Sequence, residues 1–151
     1  MFRAQLSDAL KEAMRAKEAC AVSTLRLILA ALKDRDIAAR GKGKSDGIGD
    51  DDILDLLQKM VRQRRESTGL YEKGDRQDLA DREAEEIKVI QRFLPQQLDP
   101  DALRSAVQEV MEELGAATIK DMGRVMAALK ERYAGRMDFG KASALVKDRL
   151  A

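Results

Sequence analysis

Thr118-Ile119-Lys120-Asp121-Met122-Gly123-Arg124-Val125-Met126, followed by Gly135-Arg136-Met137-Asp138, decides how this chain is read. A threonine with an acid three residues on opens a helix as a capping box does, although Glu or Gln is the usual third residue. Ile119, Met122, Val125, Met126 and Leu129 then share one stripe at helical spacing. Tyr133 to Met137 is the turn, and Asp138 caps a last helix whose apolar residues are Ala142, Leu145, Val146 and Leu150. The stretch holds no evident catalytic group. It describes a compact helical module with a basic outer face, one that acts by binding. Gly123 is the odd residue, because a mid-helix glycine costs about 1 kcal/mol relative to alanine. Close crossing by a neighbouring helix is the expected reason, and approach of a ligand backbone is the alternative.

The helix before this module carries Leu103, Val107, Val110, Met111 and Leu114 and stops at Gly115. Asp99-Pro100 starts it, an N-cap followed by proline in the first turn. Pro95 ends whatever precedes, since it lacks a donor and disfavours helical geometry at Leu94. The expected organisation is an N-terminal four-helix subdomain over 1–94, a linker at 95–98, and a C-terminal three-helix bundle over 99–151.

The N-terminal part shows the same periodicity. Phe2, Leu6, Leu10, Ala13 and Met14 predict a helix to about Lys17, with the break at Ala19 to Ser23. Val22, Leu25, Ile28, Leu29 and Leu32 predict a second helix to about Ala39, wide-faced and therefore buried. Arg26 within it is expected to be a buried arginine paired to an acid, with a phosphate contact as the minority alternative. Gly41 to Gly49 is a loop. Its GKGKS string lacks the spacing of a nucleotide-binding loop, which leaves Lys42 and Lys44 as nonspecific phosphate contacts. Asp50 to Asp52 open a third helix, on which Lys59, Arg62, Arg64 and Arg65 are expected to form a solvated face paired with Glu66, Glu72 and Asp75, with contact to RNA phosphates as the alternative. Gly69 to Asp75 marks a break. A fourth helix bears Leu79, Ile87, Ile90 and Phe93, with Asp78, Asp81, Glu83, Glu85 and Glu86 as a solvated acidic face.

Composition narrows the classes. The 151 residues are 44% hydrophobic, 36% charged and only 3% aromatic, with two prolines, which is the make-up of an all-α protein. No histidine is present, so imidazole metal sites and His-based catalytic pairs are excluded. Cys20 is the single cysteine, which excludes an intrachain disulfide. No metal, no cofactor and no membrane partner is expected, and the first residues carry charges unlike a signal peptide, which predicts a soluble cytoplasmic protein. Charge is uneven. Residues 1–65 hold 14 basic and 10 acidic side chains, 66–113 hold 6 and 13, and 114–151 hold 8 and 4. Either an anionic partner or mutual attraction of the chain's own parts accounts for that.

Several strings together are similar to a known family. Ser23-Thr24-Leu25-Arg26, Arg62-Gln63-Arg64-Arg65-Glu66-Ser67, Asp78-Leu79-Ala80, Glu83-Ala84-Glu85-Glu86-Ile87, Leu94-Pro95-Gln96-Gln97-Leu98, Asp121-Met122-Gly123-Arg124-Val125-Met126, Gly135-Arg136 and Val146-Lys147 occur in order along the chain. This set resembles the GatB/YqeY family: the small YqeY-like proteins and the C-terminal domain of the GatB subunit of glutamine-dependent aminoacyl-tRNA amidotransferases. The resemblance covers essentially the whole chain and implies the stand-alone YqeY type, with no room for the GatB catalytic cradle. It also implies that the helical tail grips tRNA while chemistry happens elsewhere, with amidotransferase or synthetase components as further partners. Carried over, the RNA-binding positions are Lys120, Gly123, Arg124, Lys130, Gly135, Arg136 and Lys147. The family label, carbon–nitrogen ligase with glutamine as amido-N-donor, does not imply intrinsic catalysis here. Glutamine hydrolysis needs an activated nucleophile, and Cys20 has no histidine to serve as its base. The competing reading is a protein-interaction module without RNA, using the acidic fourth helix and Met122, Met126 and Met137.

Overall fold

The computed structural model describes all residues 1–151 and contains seven α-helices and no strand. The chain divides into two compact units, Met1–Leu94 and Pro95–Ala151.

The first unit holds α1 (Phe2–Arg15), α2 (Ala19–Gly41), α3 (Asp50–Lys73) and α4 (Gln77–Gln91). Each helix follows from its apolar stripe. Leu6, Leu25, Ile28, Ile53, Leu57 and Ile90 meet in one fully buried aliphatic core. α3 and α4 pack as a hairpin, and α2 lies against both α1 and α4. Asp50, Asp51 and Asp52 occupy the first turn of α3, at the positive end of its dipole.

One break falls elsewhere than the periodicity predicts, and the break after α3 falls at the end of the predicted Gly69 to Asp75 stretch. The chain turns at Ala16 to Glu18, and Ala19 to Ser23 are already helical. Lys17 takes the left-handed conformation there (φ 56°), and Asp75 does so between α3 and α4 (φ 58°). Neither is a glycine; Gly74 signals the second turn, and no glycine signals the first. Gly69 does not interrupt α3; it is a partly exposed helical position with open space around it.

The end of the Gly41 to Gly49 loop is anchored. Asp36, at the inner face of α2, takes Arg3 Nε at 3.2 Å and Arg3 Nη2 at 2.6 Å, and its Oδ1 also accepts the Ile48 N–H at 2.9 Å. Arg3 Nη2 donates to the Ile48 carbonyl at 2.7 Å. Gly47 (φ +83°) lies against this knot so closely that a Cβ would stand 2.3 Å from Asp36 Oδ1. The Arg3 guanidinium holds the Asp36 carboxyl below its ordinary range, against the opposing effect of burial.

Charged residues of α3 and α4 also depart from expectation. Arg64 does not pair with Glu66, Glu72 or Asp75. Its Nε reaches Glu86 Oε2 at 3.1 Å, with the two side chains only 14% and 12% exposed. Glu86 is thus an interior partner, not part of a solvated face. Burial and the neighbouring Glu86 push the Glu83 carboxyl up. Arg26 departs the other way: it is exposed and forms no ion pair, because its position on α2 faces away from the core.

The second unit holds α5 (Pro100–Leu114), a single 3-10 turn (Ile119–Asp121), α6 (Met122–Arg132) and α7 (Phe139–Leu150). Asp99 caps α5 by accepting the Ala102 N–H at 2.7 Å, and Gly115 ends it in the left-handed conformation (φ 60°). Val107, Val110, Val125, Leu129, Met137 and Val146 form its core. Met137 is buried in that core, and Met122 and Met126, half-buried, pack against it.

Candidate nucleic-acid interface

The capping residues and the exposed face of α6 are built by the same few side chains. Asp121 Oδ2 accepts the Ala117 N–H at 3.0 Å and the Thr118 N–H at 3.2 Å, tying up donors that a helix start leaves open. Asp121 Oδ1 binds Arg124 Nη2 at 2.8 Å, and the same guanidinium reaches the Leu114 carbonyl at 3.4 Å. The Ala117 N–H, then Arg124, then the Thr118 N–H hold the Asp121 carboxyl down to about 2. Arg124 therefore links the start of α6 to the end of α5, while much of its guanidinium still faces water (57% exposed).

Gly135 and Arg136 also have structural work. Gly135 adopts φ +75°, where any Cβ is unfavourable. Its carbonyl accepts from Gln97 Nε2. The Leu98 N–H donates to the Arg136 carbonyl at 2.8 Å, and Arg136 Nε donates to the Gln96 carbonyl at 3.2 Å. The Pro95 to Leu98 segment is thus clipped onto the Gly135–Arg136 turn, within the second unit. The two strings are about 40 residues apart, so no local pattern foretells their pairing.

Gly123 is different. It is exposed, and a Cβ built on it would meet nothing within 4 Å. The expected close crossing by a neighbouring helix is therefore absent, because α5 and α7 pack on the opposite stripe through Val125 and Leu129. At 100° per residue, Gly123, Arg124 and Lys130 fall within an arc of about 120° on the outer side of α6. Lys120 precedes them in the 3-10 turn. Lys120 and Lys130 are exposed and form no ion pair. Lys147 is exposed on α7, a separate helix.

Cys20 lines an open depression of about 330 Å³ together with Glu18, Glu85, Lys88 and Arg92. Its Sγ lies 4.0 Å from Thr24 Oγ1. No group of three or more potential metal-binding side chains converges anywhere in the chain. No helix is long and apolar enough to cross a membrane.

Comparison with known proteins adds relatives. The chain is 30% identical over 124 residues to "Altered inheritance of mitochondria protein 41, mitochondrial" of Vanderwaltozyma polyspora, covering 78% of this chain and 64% of the relative. It is 36% identical over 93 residues to the protein of that name in Lachancea thermotolerans, covering 62% and 48%. The Kluyveromyces lactis protein is 31% identical over 90 residues, covering 60% and 46%. The chain thus spans about half to two thirds of the curated relatives it matches.

These names correct the expectation of a cytoplasmic protein, since the relatives are mitochondrial. The expectation rested on charge and the lack of an apolar span. Those properties govern membrane crossing; compartments are assigned by targeting segments that the folded helices do not encode. The likeness that the ordered strings carry holds along the whole molecule: the family described as Yqey-like protein matches residues 3–150, and the chain belongs to it.

Proposed function

We propose that this protein is an RNA-binding accessory module that takes tRNA on the outer face of α6 and carries out no chemistry of its own. One observation carries the reading. Gly123 stands exposed in the first turn of α6 with open space over it, between the unpaired cations Lys120 and Lys130. A bare stretch of helix backbone flanked by lysines lets a phosphodiester backbone approach without a side chain in the way. The resemblance to the GatB tail makes tRNA the natural ligand, and amidotransferase or synthetase components the natural further partners.

Arg124 and Arg136 are poor first probes, because each also holds the fold together. Lys120→Gln with Lys130→Gln is cleaner. Fluorescence anisotropy of labelled total tRNA at low and moderate salt should show binding that weakens with salt. The double variant should lose affinity without losing stability. Undetectable binding at low salt, or an affinity equal to that of the unmodified chain, sinks the proposal.

A further inference from the structure

A line of cations on the outer side of α2 forms no ion pair within the fold and is no part of the α6 face. Arg26, Lys33 and Arg40 are spaced seven residues apart, two helical turns, so they share one stripe about 21 Å long. All three are exposed and none is in an ion pair. Lys42 and Lys44 follow, exposed, in the loop that leaves the same helix end. The other charged residues of this stretch show the contrast. Arg35 pairs with Asp55 across to α3, and Asp36 is filled by Arg3 and the Ile48 N–H. Asp34 is the one acid on the exposed side, and it lies about 100° round the helix from Lys33.

Helix chemistry explains only part of the line. Arg40 in the last turn of α2 offsets the negative end of the helix dipole. Arg26 and Lys33 lie too far from that end for the same reason to apply. Successive cations are about 10 Å apart along the axis, so no single small anion reaches all three. An extended polyanion does.

We propose that Arg26, Lys33 and Arg40, continued by Lys42 and Lys44, form a second phosphate-binding ridge that tracks the backbone of RNA. The ridge rests on the reading that this protein binds RNA, but it is a separate surface from α6 and fails separately. Phosphate contacts of this kind carry no sequence information; they add affinity and salt dependence.

The test uses the full chain and labelled total tRNA at about 50 and about 200 mM salt. Arg26→Gln, Lys33→Gln and Arg40→Gln together should leave the chain folded and lower the melting temperature only slightly, through the lost Arg40 charge at the end of α2, because the positions are exposed and glutamine suits a helix. Affinity at low salt should fall about tenfold or more, and the salt dependence should become shallower by about two to three contacts. A control with the same charge change elsewhere, Lys11→Gln with Lys73→Gln and Lys88→Gln, should keep most of the affinity. Equal loss in the control means that only net charge matters and overturns the ridge. Unchanged affinity in the ridge variant, beside loss in Lys120→Gln with Lys130→Gln, overturns the ridge and leaves the α6 reading standing. No binding by the unmodified chain overturns both. Leu27 and Ile37, 50% and 54% exposed, border the ridge. Sedimentation with anionic vesicles that Leu27→Ser and Ile37→Ser abolish, without RNA binding, would assign the stripe to a membrane surface and overturn the proposal.

Discussion

Leu98 and Arg136 are joined backbone to backbone, N–H to carbonyl at 2.8 Å, and Arg136 returns a side-chain bond to the Gln96 carbonyl at 3.2 Å. This clip gives the Gly135–Arg136 turn a structural purpose besides any contact with a ligand. Arg136→Ala should lower the stability of the second unit by about 1 kcal/mol, the net worth of one hydrogen bond. Gly135→Ala should cost a further 1 kcal/mol or so, for the left-handed backbone. Urea denaturation followed by circular dichroism checks both. A stability equal to that of the unmodified chain in Arg136→Ala would leave the arginine to ligand binding alone.

Gly123 makes the opposite prediction. Nothing occupies the space a methyl group would fill, so Gly123→Ala should stabilise the protein by up to about 1 kcal/mol through helix propensity. If a phosphate backbone approaches there, tRNA affinity should drop in the same variant. Thermal unfolding and an anisotropy titration on one preparation separate the two effects. A variant that is more stable and binds equally well would reduce the glycine to an unoptimised surface position.

The Arg64–Glu86 pair is mostly buried and spans the α3–α4 hairpin. Removing one partner strands the other charge, so Glu86→Ala or Arg64→Ala should each cost about 3 kcal/mol. Replacing both, Arg64→Met with Glu86→Leu, should cost far less than the two single losses added together. A double-mutant cycle by chemical denaturation measures this coupling.

Acid should weaken the fold through two aspartates whose carboxyls are held low. Asp36 is lowered first by Arg3, and Asp121 is lowered to about 2, first by the Ala117 N–H. Their stabilisation is complete above the unfolded value, near 4, and disappears as pH falls through the folded values. Glu83, raised by burial, has the opposite sign and is relieved as pH falls toward its unfolded value. Asp121→Asn should therefore lower the melting temperature at pH 7, and the gap to the unmodified chain should close toward about pH 2. A gap independent of pH would remove the carboxylate from this account.

The all-helical class, the Asp99-Pro100 start of α5, its Gly115 stop and the Thr118–Asp121 cap were legible because each depends on neighbours within four residues. The same holds for the inner stripe of α6, Val125 and Leu129, which follows from helical period alone. The break between α3 and α4 was legible from Gly74, whereas the turn at Lys17 was not, since a residue without a glycine's freedom takes the left-handed geometry there. At the candidate site, residue type was readable and role was not. Arg124 and Arg136 read as RNA-binding positions, but Leu114 and Gln96 also supply carbonyls that hold them.

Sequence by itself therefore determined where the helices lie, which face of each is apolar, and which chemistries the chain lacks for want of histidine. Tertiary structure alone decided which charges are spent and which remain. It filled Asp36 with Arg3 and buried Arg64 against Glu86. It clipped Arg136 to the 95–98 segment, and left Gly123 with nothing over it. The reason is physical: helix formation is a matter of residues three and four apart. Whether a charge meets a partner or water depends on groups tens of residues away, which only packing brings within 3 Å or so.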